Sequence, residues 1–365
     1  MTLVVLDMND RRPVWAMPDW VPDRLRSALP TGWVLEHLTE PTDGSGDGAG
    51  RASDAVLAAV SEARIYMGYG IAEDVIRRGR SLEWVHSGAA GVGSSLTPAM
   101  KASEVVFTNS AGIHGPPMAE TVLGMILHFG RGLDFAVRNK AVGRWSTDPY
   151  YVAGAPLREL SRMVVGVIGY GGVGREVARR VASLGARVVG LKRSSVRPED
   201  AALTPVGGTG SLEASISVRS WTEEPGALDE ILAGSDVVVL CAPDTPDTRG
   251  LIGADALARL KDGALLVNVA RGRILDEAAL VAELEGGRIR GAGLDVFATE
   301  PLPDGHPFWD LPNVLPTPHV SAVTAAFWER QTELILHDLA CFLRGDDPFV
   351  PGSPWRNVVD KHAGY

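Results

Sequence analysis

Three polar side chains in the last third of the chain, Arg271, Glu300 and His319, follow one another close behind short apolar runs. Ahead of them stands a glycine-rich run, Gly169-Tyr170-Gly171-Gly172-Val173-Gly174. Arginine offers a permanently charged planar fork that takes a carboxylate through two parallel hydrogen bonds. Histidine exchanges a proton near neutral pH, and a carboxylate on its second ring nitrogen fixes the tautomer. Together these types suit chemistry at the carbonyl of a carboxylic acid, where one group holds the carboxylate, one moves the proton and one orients the mover. A structural salt bridge for Arg271 and a packing role for a lone histidine after Pro318 stand as the alternatives.

The glycine run is G-x-G-x-x-G, and its setting gives it weight. Met163 to Ile168 before it is a continuous apolar run, as expected of a parallel strand covered on both faces. Val173, Val177, Val181 and Leu184 after it recur at helical spacing. Gly169 then permits the tight turn, Gly171 the approach of a pyrophosphate and Gly174 close packing of helix on strand, while N–H groups at Gly172 and Val173 open the helix toward the anion. The next strand, Val188 to Leu191, ends in Lys192-Arg193-Ser194 and lacks the acid that would hold ribose hydroxyls. Two bases and a hydroxyl there suit a 2'-phosphate, so NADP(H) is the expected cofactor and NAD(H) a possible one. The alternative is that both bases simply face solvent.

These groups need elements to position them. Strands are expected at Leu3–Leu6, Ala63–Met67, Trp84–His86 and Val105–Thr108, so the first hundred residues form an α/β unit of their own. A helix over Met118 to Arg131 is expected to join two domains, and Arg144 to Pro156 reads as an arm or loop. Beyond it, strands at 236–240, 265–269 and 292–297 alternate with helices at 255–260 and 276–284, the signature of a doubly wound parallel sheet. Thr42 to Gly50 reads as a surface loop, and Ser195 to Val218, rich in Gly, Pro and Ser, as a surface insertion.

Cys241 to Leu251, the Arg, Glu and His segments, the glycine motif, Gly88 to Val92, Thr108-Asn109, Ala119-Glu120 and Asn357 to Asp360 together resemble the D-2-hydroxyacid dehydrogenase family over most of the chain. The resemblance implies an α/β fold of two Rossmann-like, doubly wound domains with the active site in the cleft between them. Residues 1–113 with 324–365 are then the substrate-binding domain and 114–323 the NAD(P)-binding domain. It implies His319 as general acid and base, Glu300 as its partner, Arg271 on the substrate carboxylate, and backbone donors at Ala90 and Gly91. It further implies Asp295 on the nicotinamide amide, with cofactor contacts at Ala242, Pro243, Thr248, Val269, Ala270, Ser321 and Ala322. Relatives often carry an acid where Gly93 stands and a leucine at Asp244, and neither change removes a catalytic group.

Within the resembling family, a reductase of a small 2-oxoacid such as glyoxylate or hydroxypyruvate is the expectation. Formate-oxidising relatives pair histidine with glutamine, whereas Glu300 is present here. The chain ends without the regulatory domain of many phosphoglycerate dehydrogenases, which leaves that member, and a dinucleotide-sensing corepressor, as alternatives. Tyr69, Trp145 and Trp328 are nominated for side-chain specificity, and His86 and His114 are expected to be structural.

Composition narrows the partners. A length of 365 residues favours two domains, and a net charge of −10 disfavours nucleic acid and anionic membrane surfaces. Two cysteines, Cys241 and Cys341, exclude a disulfide framework and a multi-cysteine metal site, and no metal is expected. Met1 to Asp7 meets an acid before a signal core forms, so a cytoplasmic enzyme is expected, and the family implies a homodimer.

Overall fold

The computed structural model describes residues 2–41 and 51–364, so the proposed loop over Thr42 to Gly50 lies outside the described residues. The chain divides into two compact units, Met1–His114 with Val323–Tyr365, and Gly115–Ala322.

The first unit is built on β1 (Thr2–Asp7), β2 (Trp33–His37), β3 (Ala63–Gly68), β4 (Trp84–Ser87) and β5 (Val106–Asn109). Among the described residues these strands pair in parallel in the order β2-β1-β3-β4-β5. Val4, Leu6, Ile65 and Met67 feed one core and Val5, Tyr66, Val85 and Phe107 the other. Both faces are covered, which is why these strands read as apolar runs rather than as alternation. The strand β2 escaped sequence reading because it is an edge, with Leu35 buried and Glu36 exposed. The Phe327–Arg344 helix returns to this unit and seats Ile335 and Leu339 in the core that contains Trp84.

The second unit holds β6 (Val164–Ile168), β7 (Arg187–Lys192), β8 (Ile216–Ser220), β9 (Val237–Leu240), β10 (Leu265–Asn268), β11 (Gly291–Leu294) and β12 (Val314–Pro316). Their order is β12-β11-β10-β9-β6-β7-β8, all parallel among the described residues. The chain winds outward one way from β6 and the other way from β9, so the adjacent β6 and β9 mark a topological switch point. Loops beyond their C-terminal ends diverge and leave a crevice, the place where sheets of this kind bind ligands.

Two expectations need correction here. The helix expected to join the domains spans Gly115–Gly130 and lies wholly within the second unit. It packs so tightly on the sheet that a Cβ at Gly291 would lie 2.6 Å from Phe129 Cδ1, and one at Gly293 2.7 Å from Met125 Sδ. Nor is 195–218 a plain surface insertion. It contains a short helix, Pro198–Ala201, and its last residues begin β8, the edge strand paired with β7. The glycines, prolines and serines upstream masked the strand, while Ile216 and Leu212 are buried. The Arg144 to Pro156 stretch carries one short helix, Asp148–Tyr151, with Trp145 almost fully exposed. No described helix is long and apolar enough to cross a membrane.

Candidate active site

The glycine motif forms the turn between β6 and the Gly172–Ser183 helix. Gly169 sits at φ +99°, and a Cβ there would lie 2.4 Å from the Ala242 backbone nitrogen beyond β9. Only glycine meets both demands. A Cβ at Gly174 would lie 2.2 Å from the Gly169 carbonyl, so this glycine lets the helix lie against the turn. Gly171 caps the helix and has nothing within 4 Å of a Cβ position, leaving exposed backbone there and at Gly172. The Arg175 N–H is the first to close on Gly171, at 2.9 Å, so earlier N–H groups of the turn stand outside the helical ladder. Open backbone, positive helix end and switch point all fit a pyrophosphate. Across the crevice, Ala242 is buried and Pro243 exposed, and the Thr248 hydroxyl donates to the Pro243 carbonyl at 2.6 Å, splinting that loop. Val269 and Ala270 are buried in the loop beyond β10.

The end of β7 is more occupied than its sequence suggests. Lys192 Nζ lies 2.8 Å from Asp200 Oδ2, and Arg175 Nη1 lies 2.8 Å from Asp200 Oδ1. Burial alone would raise the Asp200 carboxyl, but hydrogen bonds from Lys192 and the Arg197 N–H, and the charges of Lys192 and Arg175, hold it below the usual range. Lys192 therefore does not simply face solvent; it is braced by a residue of the 195–218 segment. Arg193 and Ser194 are exposed, and the Arg193 guanidinium has a single ion pair among the described residues, a long one of 3.5 Å to Asp247. The sequence does not single out Asp200; Pro198-Glu199-Asp200, an acidic first helical turn after a proline, was the available signal.

On the opposite side of the switch point, β10, β11 and β12 are neighbours, and Arg271, Glu300 and His319 lie in the segments just beyond their C-terminal ends. The Glu300 carboxylate is bound at both oxygens: Oε1 accepts the Phe297 N–H at 2.9 Å, and Oε2 lies 2.7 Å from His319 Nδ1. Nδ1 is thus the nitrogen that donates to the carboxylate, leaving Nε2 on a ring that is about half exposed, with 47% of its side chain open. His319 has φ +54°, a left-handed conformation uncommon outside glycine and asparagine. The turn that imposes it is held by Asp295, a fully buried carboxylate accepting from Thr317 Oγ1 at 2.6 Å and from the Val320 and Ser321 N–H groups at 2.9 Å. Asp295 carries that turn in the structure; Ser321 is buried and Ala322 half-buried beside it.

Arg271 is half-buried, donates from Nη1 to the Ala270 carbonyl at 2.7 Å, and has no carboxylate within salt-bridge reach among the described residues. A structural salt bridge is thereby removed as its explanation. Two residues that the sequence does not advertise place it. Asn268, fully buried, donates to the Arg271 carbonyl and accepts from the Ala270 N–H. A Cβ at Gly272 would fall 1.9 Å from the Phe297 carbonyl carbon, so this glycine alone lets the Arg271 turn abut the segment leading to Glu300. The clue was a glycine directly after an arginine at a strand end.

In the first unit, the loop beyond β4 carries Ala90, exposed, and Gly91, half-buried. Neither N–H makes a hydrogen bond among the described residues, whereas the carbonyls of Ala89 and Ala90 both do. His86 is wholly buried, 2.8 Å from Thr108 Oγ1 and 2.7 Å from Gln331 Nε2, and burial pushes its pKa down to about 3. It is a neutral core histidine. Tyr69 and Trp328 are packing aromatics in the same unit, with Trp328 Nε1 donating to the Trp15 carbonyl. Cys241 and Cys341 are free thiols, both raised by burial.

Parallel doubly wound sheets, a dinucleotide-type turn and an arginine, glutamate and histidine on three neighbouring strand ends define a class of nicotinamide-type oxidoreductase architecture. The chain belongs to the D-isomer specific 2-hydroxyacid dehydrogenase family, whose NAD binding domain matches residues 123–321. It is 32% identical over 324 residues to a D-3-phosphoglycerate dehydrogenase of Mycobacterium tuberculosis, covering 84% of this chain and 56% of that protein. The chain thus spans about half the length of the curated relatives that it matches first. Among solved structures it is similar to a D-isomer specific 2-hydroxyacid dehydrogenase of Xanthobacter autotrophicus in complex with NADPH and MES, at 28% identity and a TM-score of 0.74, with both chains covered in full. It is also similar to an NADPH-dependent glyoxylate/hydroxypyruvate reductase of Sinorhizobium meliloti in complex with NADP and sulfate, at 27% identity and a TM-score of 0.71, again with both chains covered in full.

Proposed function

We propose that this chain is a 2-hydroxyacid dehydrogenase that reduces a small 2-oxoacid of the glyoxylate or hydroxypyruvate class, with NADPH preferred over NADH. The observation that carries the reading is the 2.7 Å pairing of His319 Nδ1 with Glu300 Oε2, which supports proton transfer at the other ring nitrogen, Nε2. A bound reduced nicotinamide supplies hydride to the oxo carbon. His319 Nε2–H gives its proton to the carbonyl oxygen, and Glu300, bonded to Nδ1, fixes the ring orientation for that transfer. Arg271, with no carboxylate in salt-bridge reach among the described residues, binds the substrate carboxylate and polarises the adjacent carbonyl. The N–H groups of Ala90 and Gly91 serve as further donors to that carboxylate. In the reverse direction His319 accepts the hydroxyl proton. Asp295 acts on this chemistry through the His319 turn that it braces.

The cofactor preference rests on the end of β7, where Arg193 and Ser194 are open and Lys192 is braced beside them. The NADPH and NADP complexes of the two similar structures support it. Residues Leu133, Val137, Val142, Trp145, Tyr151 and Val152 form a run of exposed apolar side chains, which supports a homodimer; light scattering at micromolar concentration is the check. The function itself is tested by a panel of 2-oxoacids assayed with NADPH and with NADH separately. Turnover of glyoxylate or hydroxypyruvate with higher kcat/KM for NADPH is expected, and no turnover of any 2-oxoacid would overturn the reading.

A further inference from the structure

Three carbonyls of the 87–91 loop, those of Ser87, Ala89 and Ala90, are gripped from one direction. Ser110 Oγ donates to the Ser87 carbonyl at 2.9 Å, the Ser110 N–H donates to the Ala89 carbonyl at 3.2 Å, and Asn109 Nδ2 donates to the Ala90 carbonyl at 2.8 Å. In a trans peptide the C=O of one residue and the N–H of the next point in opposite directions across the same plane. Drawing the Ala89 and Ala90 carbonyls toward residues 109 and 110 therefore turns the Ala90 and Gly91 N–H groups outward on the far side. Those are the two N–H groups without a partner among the described residues. Two successive outward N–H groups form a concavity suited to one anion.

Asn109 is itself splinted by the C-terminal segment. Its Oδ1 accepts the Ala111 N–H at 3.2 Å, and its own N–H donates to the Asn357 carbonyl at 3.2 Å. Asn357 Nδ2 returns two bonds, to the Asn109 carbonyl at 3.1 Å and to the Ala111 carbonyl at 2.7 Å. Asn357 makes this reach from φ +53°, which asparagine tolerates better than other side chains. A bridge between Thr108 and Val358 and the Val359 N–H on the Phe107 carbonyl continue the seam along β5.

We propose that Asn109, braced by Asn357, is a positioning residue for the substrate carboxylate: it orients the Ala90 to Gly91 peptide so that the Gly91 N–H faces the anion. This rests on the proposed 2-oxoacid reductase reading and adds to it residues that touch neither substrate nor cofactor. The test is steady-state kinetics of Asn109→Ala and Asn357→Gly with hydroxypyruvate and NADPH, each beside the wild type. Losing one hydrogen bond that orients a donor predicts a KM for hydroxypyruvate about tenfold higher in Asn109→Ala, with kcat and the KM for NADPH within about twofold. Asn357→Gly keeps the left-handed backbone and loses only the amide, so about a threefold rise with the same split is expected. An unchanged KM for hydroxypyruvate, or an equal rise in the KM for NADPH, overturns the proposal. If Asn109→Ala does not fold, Asn357→Gly decides by the same criterion. Failure of the wild type to reduce any 2-oxoacid is a separate result, which refutes the underlying function rather than the role of Asn109.

Discussion

The two units use the same architecture, a parallel sheet wound both ways, to present different kinds of chemical group. Beyond the strand ends of the second unit stand Arg271, Glu300 and His319, and in the proposed function the identity of each side chain decides the chemistry. Beyond β4 in the first unit stand the N–H groups of Ala90 and Gly91, where, in the same proposal, the side chain hardly matters and the orientation of a peptide plane does. A side-chain site fails when its own residue changes, while a backbone site fails when its scaffolding changes. The first failure shows in kcat and the second in KM.

The largest expected effect comes from the side-chain site. His319→Ala should lower kcat by about 10³-fold, the usual worth of a positioned proton donor, while the dissociation constant for NADPH, read by fluorescence titration, stays within about twofold. Unchanged turnover would refute the role of His319 and blunt the contrast between the units. Next is the cofactor end. Arg193→Ala should raise the KM for NADPH about tenfold and leave that for NADH nearly unchanged, and Lys192→Ala should act in the same direction but less, because Asp200 already neutralises it. Equal effects on both cofactors would remove the 2'-phosphate assignment.

The smallest effect is on stability and belongs to the first unit. Burial pushes the Asp338 carboxyl up to about 6, against the lowering influence of the Arg356 N–H, His337 and Arg356. Its pKa in the fold lies above that in the unfolded chain, so the protonated acid is favoured by folding. That stabilisation is complete below about pH 4 and is lost as pH rises through about 6, a swing of roughly 3 kcal/mol at most. Asp338→Asn keeps an acceptor for the Arg356 N–H. It should therefore raise the melting temperature clearly at pH 7.5 and by only about a third as much at pH 4.5, as scanning calorimetry would show. A variant equally stabilised at both pH values would exclude titration of Asp338 as the cause.

How much of this was legible follows from what each feature depends on. The strands β6, β9 and β10 announce themselves because both faces are buried and their residues are apolar apart from Asn268 at the end of β10. The edge strands β2 and β8 do not, since one side meets solvent and their few apolar residues stand among charged or small ones. The glycine motif was readable because its spacing carries its geometry. Gly272 was not, because its need arises from Phe297, twenty-five positions further along, and becomes visible only when β10 and β11 lie side by side. The locking of Lys192 by Asp200 was hidden for the same reason: the sequence shows a base at a strand end, and only folding shows who already holds it. Asp295 stood out as an acid at a strand end, but its fully buried grip on the His319 turn needed coordinates.

The left-handed backbone at His319 has a consequence for how this protein would respond to laboratory evolution. A histidine at φ +54° is held in a conformation that glycine or asparagine adopts more easily. A library screened for heat resistance alone would therefore drift toward those two residues at this position, gaining robustness and discarding the proposed proton donor. Screens that couple survival to turnover would keep the histidine, so position 319 reports which of the two pressures a selection applied.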